Sequence, residues 1–318
     1  MGKRKHPLLK IGFLLAFLAG IIYIINKLVS ALATLNNISS AKDGEYYNWR
    51  FGNIFYKKQG SGSPILLIHD LSPTSSLSEW SSVTDELSKT HTVYSIDLLG
   101  CGHSSKPNLT YTNYLYVQLL TDFVKNVIGQ KTDVVASGLS GSLVVTACAD
   151  DNTIFGKVML ITPADIDTLN QIPSKNSKII KSLLELPLLG TFAYNILTSK
   201  SNIEFELTEK QLFNPFTITG SMIDTRYEAA HLGGGNGKYL MSSILGNYIY
   251  FNISHGLKSL RKQILIVNGE NYENGDKAVA QYVTLKPSIK HKIIPETSFL
   301  PQYEAPAQLL KVIQSFFK

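Results

Sequence analysis

The chain has 318 residues, with 30 Lys and Arg against 24 Asp and Glu, a formal charge of +6. Lys3, Arg4, Lys5, Lys10 and Lys27 fall in the first 35 residues, which hold no acid, so residues 36–318 carry only +1. A near-neutral body excludes a large basic nucleic-acid surface, 44% hydrophobic against 17% charged residues excludes disorder over most of the chain, and two cysteines exclude a disulfide framework or a Cys-rich zinc site.

From Ile11 to Ile25 the sequence is uncharged and apolar, and Leu8, Leu9 and the run LVSALATL extend it beyond Lys10 and Lys27. About 20 apolar residues cross the hydrocarbon layer. With both lysines snorkelling to opposite interfaces, Leu8–Leu32 is long enough to span as one helix. The Lys3-Arg4-Lys5 cluster then predicts a cytoplasmic N-terminus and an extracytoplasmic body. Ala31-Leu32-Ala33 also fits the small-x-small pattern of a signal cleavage site, which would release the body instead.

Residues 1–35 are thus read as basic tail and anchor, 36–44 as a polar linker, and 45–318 as one globular domain. Tyr46–Phe51 and Ile54–Lys58 predict a hairpin turning at Gly52-Asn53. A buried strand is expected at Pro64–His69, and further strands at His91–Asp97, Asp133–Ala136, Lys157–Thr162, Gln263–Asn268 and His291–Ile294. Helical spacing marks Leu77–Ser88, Thr112–Ile128, Leu143–Ala149, Lys277–Leu285 and Ala305–Phe317. This alternation predicts an α/β fold with a mostly parallel sheet of about eight strands. Residues 164–260 break the rhythm and are read as an inserted helical cap. Cys101 and Cys148 are read as small buried hydrophobes, a single bond between them being left open.

Gly138-Leu139-Ser140-Gly141-Ser142 lies between a strand and a helix and approximates the G-x-S-x-G elbow, where small neighbours allow a tight turn that presents a serine. Ser140 is therefore the candidate nucleophile, with the Gly141 and Leu71 N–H groups as candidate oxyanion donors. His69-Asp70-Leu71 follows the preceding buried strand, and Asp97-Leu98-Leu99-Gly100-Cys101-Gly102-His103-Ser104 follows the next. Together with Ile294-Pro295 and Glu304-Ala305-Pro306, these runs make the chain resemble an α/β-hydrolase of the lipase, esterase and peptidase type over about residues 46–317.

That resemblance implies a serine hydrolase acting on an ester, thioester or amide, yet three positions depart from it. The acid expected after Gln263–Asn268 falls on Tyr272, the histidine expected after the last strand falls on Phe299, and Asp70 stands where the oxyanion loop has glycine. Replacement acids are sought at Asp165, Glu270 or Glu273 and replacement bases at His231 or His255. The alternative is a non-catalytic member that holds a small apolar ligand or a protein partner between cap and sheet, against Tyr272 and Phe299. Gly233–Lys238 is not a phosphate loop, because its first glycine position holds Leu232 and Tyr239 follows the lysine. No cofactor motif or metal-ligand spacing is present, and nothing in the sequence fixes an oligomeric state.

Overall fold

A computed structural model describes residues 7–318, with side chains from Lys10 onward. Lys3, Arg4, Lys5 and His6 lie outside the described residues, as do the side chains of Leu8 and Leu9. The chain runs α1 (Pro7–Ala33), β1 (Glu45–Trp49), β2 (Gly52–Gln59), β3 (Ser63–Ile68), α2 (Ser81–Leu87), β4 (His91–Ile96), α3 (Asn113–Phe123), β5 (Thr132–Ser137), α4 (Ser140–Asp150) and β6 (Phe155–Ile161). Then come α5 (Ile166–Leu169), α6 (Lys175–Glu185), α7 (Leu189–Leu197), α8 (Lys200–Glu206), α9 (Gly220–His231), α10 (Lys238–Leu245) and α11 (Ser254–Ser259). The chain closes with β7 (Ile264–Gly269), α12 (Gly275–Leu285), β8 (Lys290–Ile294), α13 (Pro301–Glu304) and α14 (Pro306–Phe316).

The eight strands form one sheet in the order β1-β2-β4-β3-β5-β6-β7-β8, antiparallel at β1, β2 and β4 and parallel from β4 onward. Continuous apolar strands follow from having helices on both faces. In β3, Leu66 and Ile68 join the core beneath α3 and α4, with Leu119, Phe123 and Val144, while Ile65 and Leu67 join the core beneath α2 and α14, with Val83, Leu309 and Ile313. Both cysteines are free and buried.

Two local expectations are corrected. The hairpin turns at Arg50-Phe51, with Trp49 paired to Gly52. Gly52 is needed instead for close approach, since a Cβ there would meet Ser105 Cβ at 2.5 Å. Helix α4 begins three residues before the expected Leu143. That shift proves decisive for the site.

Helix α1 includes a stretch, Lys10–Ala33, long and apolar enough by length and composition to cross a membrane. Its last turns pack on α7 and α9. Asn26, buried in that contact, donates from Nδ2 to the Leu188 carbonyl at 3.1 Å and accepts from Asn195 Nδ2 at 2.9 Å. In the connection that follows, the Ser39 N–H and hydroxyl donate to Glu228 Oε2 on α9 (2.8 and 3.0 Å), and the Ser39 carbonyl meets His103 Nε2.

Candidate active site and its occupants

The carboxyl ends of parallel strands form the usual ligand crevice of an open α/β sheet. Here the loops after β3, β5, β6, β7 and β8 bring Asp70, Gly138, Ala164, Tyr272 and Phe299 to one cavity of about 480 Å³, with α7–α10 supplying the other walls. A larger open cleft of about 830 Å³ sits at the opposite strand ends, beside Lys131, Lys157 and Lys262.

Ser140 does not project its hydroxyl above the sheet as expected. It is fully buried in the first turn of α4 and donates to the His69 carbonyl at 2.6 Å. The reason is the extent of β5, which continues through Ser137, paired with Ile161, so the chain bends at Gly138. Gly138 has φ +54°, the left-handed backbone that an elbow requires and that glycine adopts without strain. A Cβ on Gly138 would lie 2.1 Å from Asp70 Oδ1 and 3.0 Å from Phe299 Cζ.

Asp70 fills the space where a side chain at the bend would be. Its Oδ1 accepts the Leu139 N–H at 2.9 Å, so this donor, the first after the bend, is aimed at a carboxylate of the same chain. Burial pushes the Asp70 carboxyl up, against the lowering influence of the Leu139 N–H, His69, Arg226 and the Leu71 N–H. Leu71, the other candidate donor, follows Asp70 on the cavity wall. The Gly141 N–H closes the turn by donating to the Gly138 carbonyl at 3.2 Å.

Beneath the half-buried Asp70 lies the fully buried Glu79, which accepts the Asp70 N–H at 3.2 Å and Gln302 Nε2 at 2.7 Å. Burial, then the charge of Asp70, raises its carboxyl. His69 Nε2 accepts the Leu98 N–H at 3.1 Å, which leaves Nδ1 to donate to the Asp70 carbonyl at 2.7 Å. Both ring nitrogens are thereby engaged in holding the loop.

Phe299 and Tyr272 come together, ring centroids 5.4 Å apart, on the cavity wall. The Phe299 backbone is clamped by its N–H to the Gln211 carbonyl (3.0 Å) and by Thr162 Oγ1 to its carbonyl (2.9 Å). Burial, reinforced by nearby Asp70, pushes the Tyr272 phenol up to about 12.

The candidate replacements are scattered. Asp165 caps α5 through Thr168 and pairs with Lys277 at 2.9 Å; burial opposes its charge, but these bonds hold its carboxyl below the usual range. Glu270 is exposed and accepts the Glu296 N–H, and Glu273 is exposed. His231 is buried between Tyr194 and Tyr227, donates from Nδ1 to the Tyr227 carbonyl at 2.7 Å, and is pulled toward its neutral form by burial. His255 is exposed on α11, which packs on α4. None of these five lines the cavity.

Sequence reasoning missed Arg226, on α9, whose buried side chain reaches the cavity and lies over the Tyr303 ring. No described carboxylate pairs with it within 4 Å. It also missed the inward role of Glu79, whose serine-rich surroundings, Ser78, Ser81 and Ser82, read as an exposed helix start.

Sheet order, strand-end cavity and tight β5–α4 turn define an α/β-hydrolase-type molecule. Residues 65–311 match the Alpha/beta hydrolase family, and the chain belongs to it. An uncharacterised protein of Mycobacterium tuberculosis is 26% identical over 133 residues, 42% of this chain and 36% of its own length. The matched stretch thus spans about a third of such curated relatives. Among solved structures, a serine hydrolase involved in carbazole degradation superposes with a TM-score of 0.72 at 18% identity, covering 86% of this chain and 98% of that one. A membrane phospholipase A gives 0.68 at 18% identity, covering 98% and 97%. At such identities the likeness is one of fold.

Proposed function

We propose that this chain is a membrane-anchored α/β-hydrolase-fold protein that binds a ligand with an apolar body in the strand-end cavity and performs no serine acyl transfer there. One observation carries the reading. The elbow residue is Gly138, and the Asp70 carboxylate occupies both the missing side chain's space and the Leu139 N–H. Acyl transfer needs a nucleophile, a base in hydrogen-bond reach and free donors for the developing oxyanion. Here the first is absent from the bend, Phe299 offers no proton acceptor at the second, and the third is already satisfied. Tyr272 stays protonated at neutral pH.

The cavity itself supports binding. Leu71, Ile203, Met241, Ile244 and Phe299 give it an apolar lining, and Arg226 gives it one charged donor suited to a polar end of the ligand. Anchoring by α1 is supported by its outward apolar side chains, Phe13 and Phe17 among them. Retention of the anchor is supported by Asn26 and Ala33, both buried, since cleavage after Ala33 would remove the residues that bind the body.

The test uses the full chain in detergent micelles. A fluorophosphonate probe and a short-chain aryl ester should react no faster than with the Ser140→Ala variant, while a fluorescent fatty-acid analogue should bind saturably. Turnover that depends on Ser140 would overturn the reading.

A further inference from the structure

Helix α6 is amphipathic in the wrong sense for a soluble surface. A helix on a globular body normally turns its apolar stripe to the core. In α6 the core side holds Ser177 and Leu184, whereas Ile179 and Leu183 point outward, 57% and 59% exposed. Leu186, in register with them one turn further on, is exposed as well, and so is Leu189 at the start of α7. Lys175 and Lys178 lie exposed along the margin of this stripe. An apolar stripe edged by lysines is the pattern of a helix lying in a lipid headgroup layer.

The geometry of α1 brings the bilayer to this face. From Leu8 to Ile25 the helix rises about 27 Å at 1.5 Å per residue, less than the ~30 Å of hydrocarbon it must cross. The apolar layer therefore extends to the level of Asn26 or beyond. Asn26 is bonded to the Leu188 carbonyl and to Asn195 of α7, so the start of α7 and the Leu186–Leu189 corner stand at that level too. Ser39, held by Glu228 and His103, prevents the body from swinging away.

We propose that the face formed by α6 and the α6–α7 corner is a second membrane contact, with Ile179, Leu183, Leu186 and Leu189 seated in the headgroup and upper acyl region of the bilayer that α1 crosses. The proposal rests on the anchored reading of α1, and the experiment separates the two. Leu14→Cys on α1, Leu183→Cys on α6 and Lys311→Cys on α14 are each labelled with an environment-sensitive fluorophore in the full chain. The buried native thiols serve as the unlabelled control. Each protein is reconstituted in phosphatidylcholine–phosphatidylglycerol vesicles that carry a quenching nitroxide high or deep on the acyl chain.

The Leu183 label should be quenched at least ~3-fold more than the Lys311 label, and most by the high nitroxide, as for an interfacial helix. The Leu14 label should respond most to the deep one. A Leu183 label as unquenched as Lys311, with Leu14 quenched, would overturn the proposal and leave the anchor standing. Self-quenching at Leu183 that grows with protein density, without lipid quenching, would assign the face to a second copy of the chain and also overturn it. Loss of quenching at Leu14 would remove the anchor and the proposal together.

Discussion

Restoring a serine at the elbow should harm the protein rather than repair it. In Gly138→Ser the new Cβ would stand 2.1 Å from Asp70 Oδ1 and 2.6 Å from its Cγ, far inside contact distance, so Asp70 must leave. Its departure strips the Leu139 N–H of its acceptor, which for a buried donor costs about 1–3 kcal/mol. Holding a non-glycine residue at φ +54° adds about 1–2 kcal/mol. The variant should therefore lose about 2–5 kcal/mol, a large share of a typical domain's stability. Adding Asp70→Gly removes the collision and opens the Leu139 N–H to cavity water. The double variant should then be more stable than Gly138→Ser alone, with a coupling of about 1–3 kcal/mol. Urea unfolding of the full chain in micelles, followed through the buried Trp49 and Trp80, measures all three. A Gly138→Ser protein within about 0.5 kcal/mol of the parent, or no recovery on adding Asp70→Gly, would refute the reasoning.

The buried carboxyls predict a pH signature. Because burial raises Asp70 and Glu79, their folded forms favour the proton, so the contribution of these two groups to stability is fully present below the ordinary carboxyl range near pH ~4 and is lost as pH rises through the raised values. Asp70→Asn can still accept from Leu139 and should gain stability relative to the parent as pH climbs; parallel pH–stability curves would contradict this. Asn26→Ala leaves the Leu188 carbonyl and the Asn195 amide without partners, and should cost about 1–3 kcal/mol. It should also speed proteolytic nicking within residues 36–44, and unchanged nicking would count against the docking of α1. Phe299→Ala removes an apolar wall of the cavity and should weaken binding of the fatty-acid analogue by about 1–2 kcal/mol, roughly 5–30-fold. Equal affinities in a titration would place the ligand elsewhere.

The sheet was readable because strands buried on both faces announce themselves as short apolar runs, and PILLIH and QILIVN gave β3 and β7 to within a residue. The elbow was not, and for a specific reason. Gly138, Ser140, Gly141 and Ser142 are all small, so composition cannot say which of them takes the bend; that depends on where β5 stops. Ending the strand at Ala136 rather than Ser137 let the pattern settle on Ser140, two residues too late. Tyr272 and Phe299 were singled out by the family resemblance, and the loops after β7 and β8 do bring their rings together on the cavity wall. What Asp70 contributes was hidden, since it meets Gly138 only through the pairing of β3 with β5, strands far apart in sequence. The outward stripe of α6 was equally hidden, because periodicity shows that a helix has an apolar side but not which way it turns.

The clasp on Ser39 has a consequence for reach. Nine extended residues, 36–44, could pay out roughly 30 Å of slack, enough for a tethered domain to wander well clear of its anchor. With Ser39 pinned between α9 and the loop that carries His103, that leash is reeled in. On the anchored reading, the domain keeps one altitude and one heading, and whatever it meets must come to it at the bilayer surface.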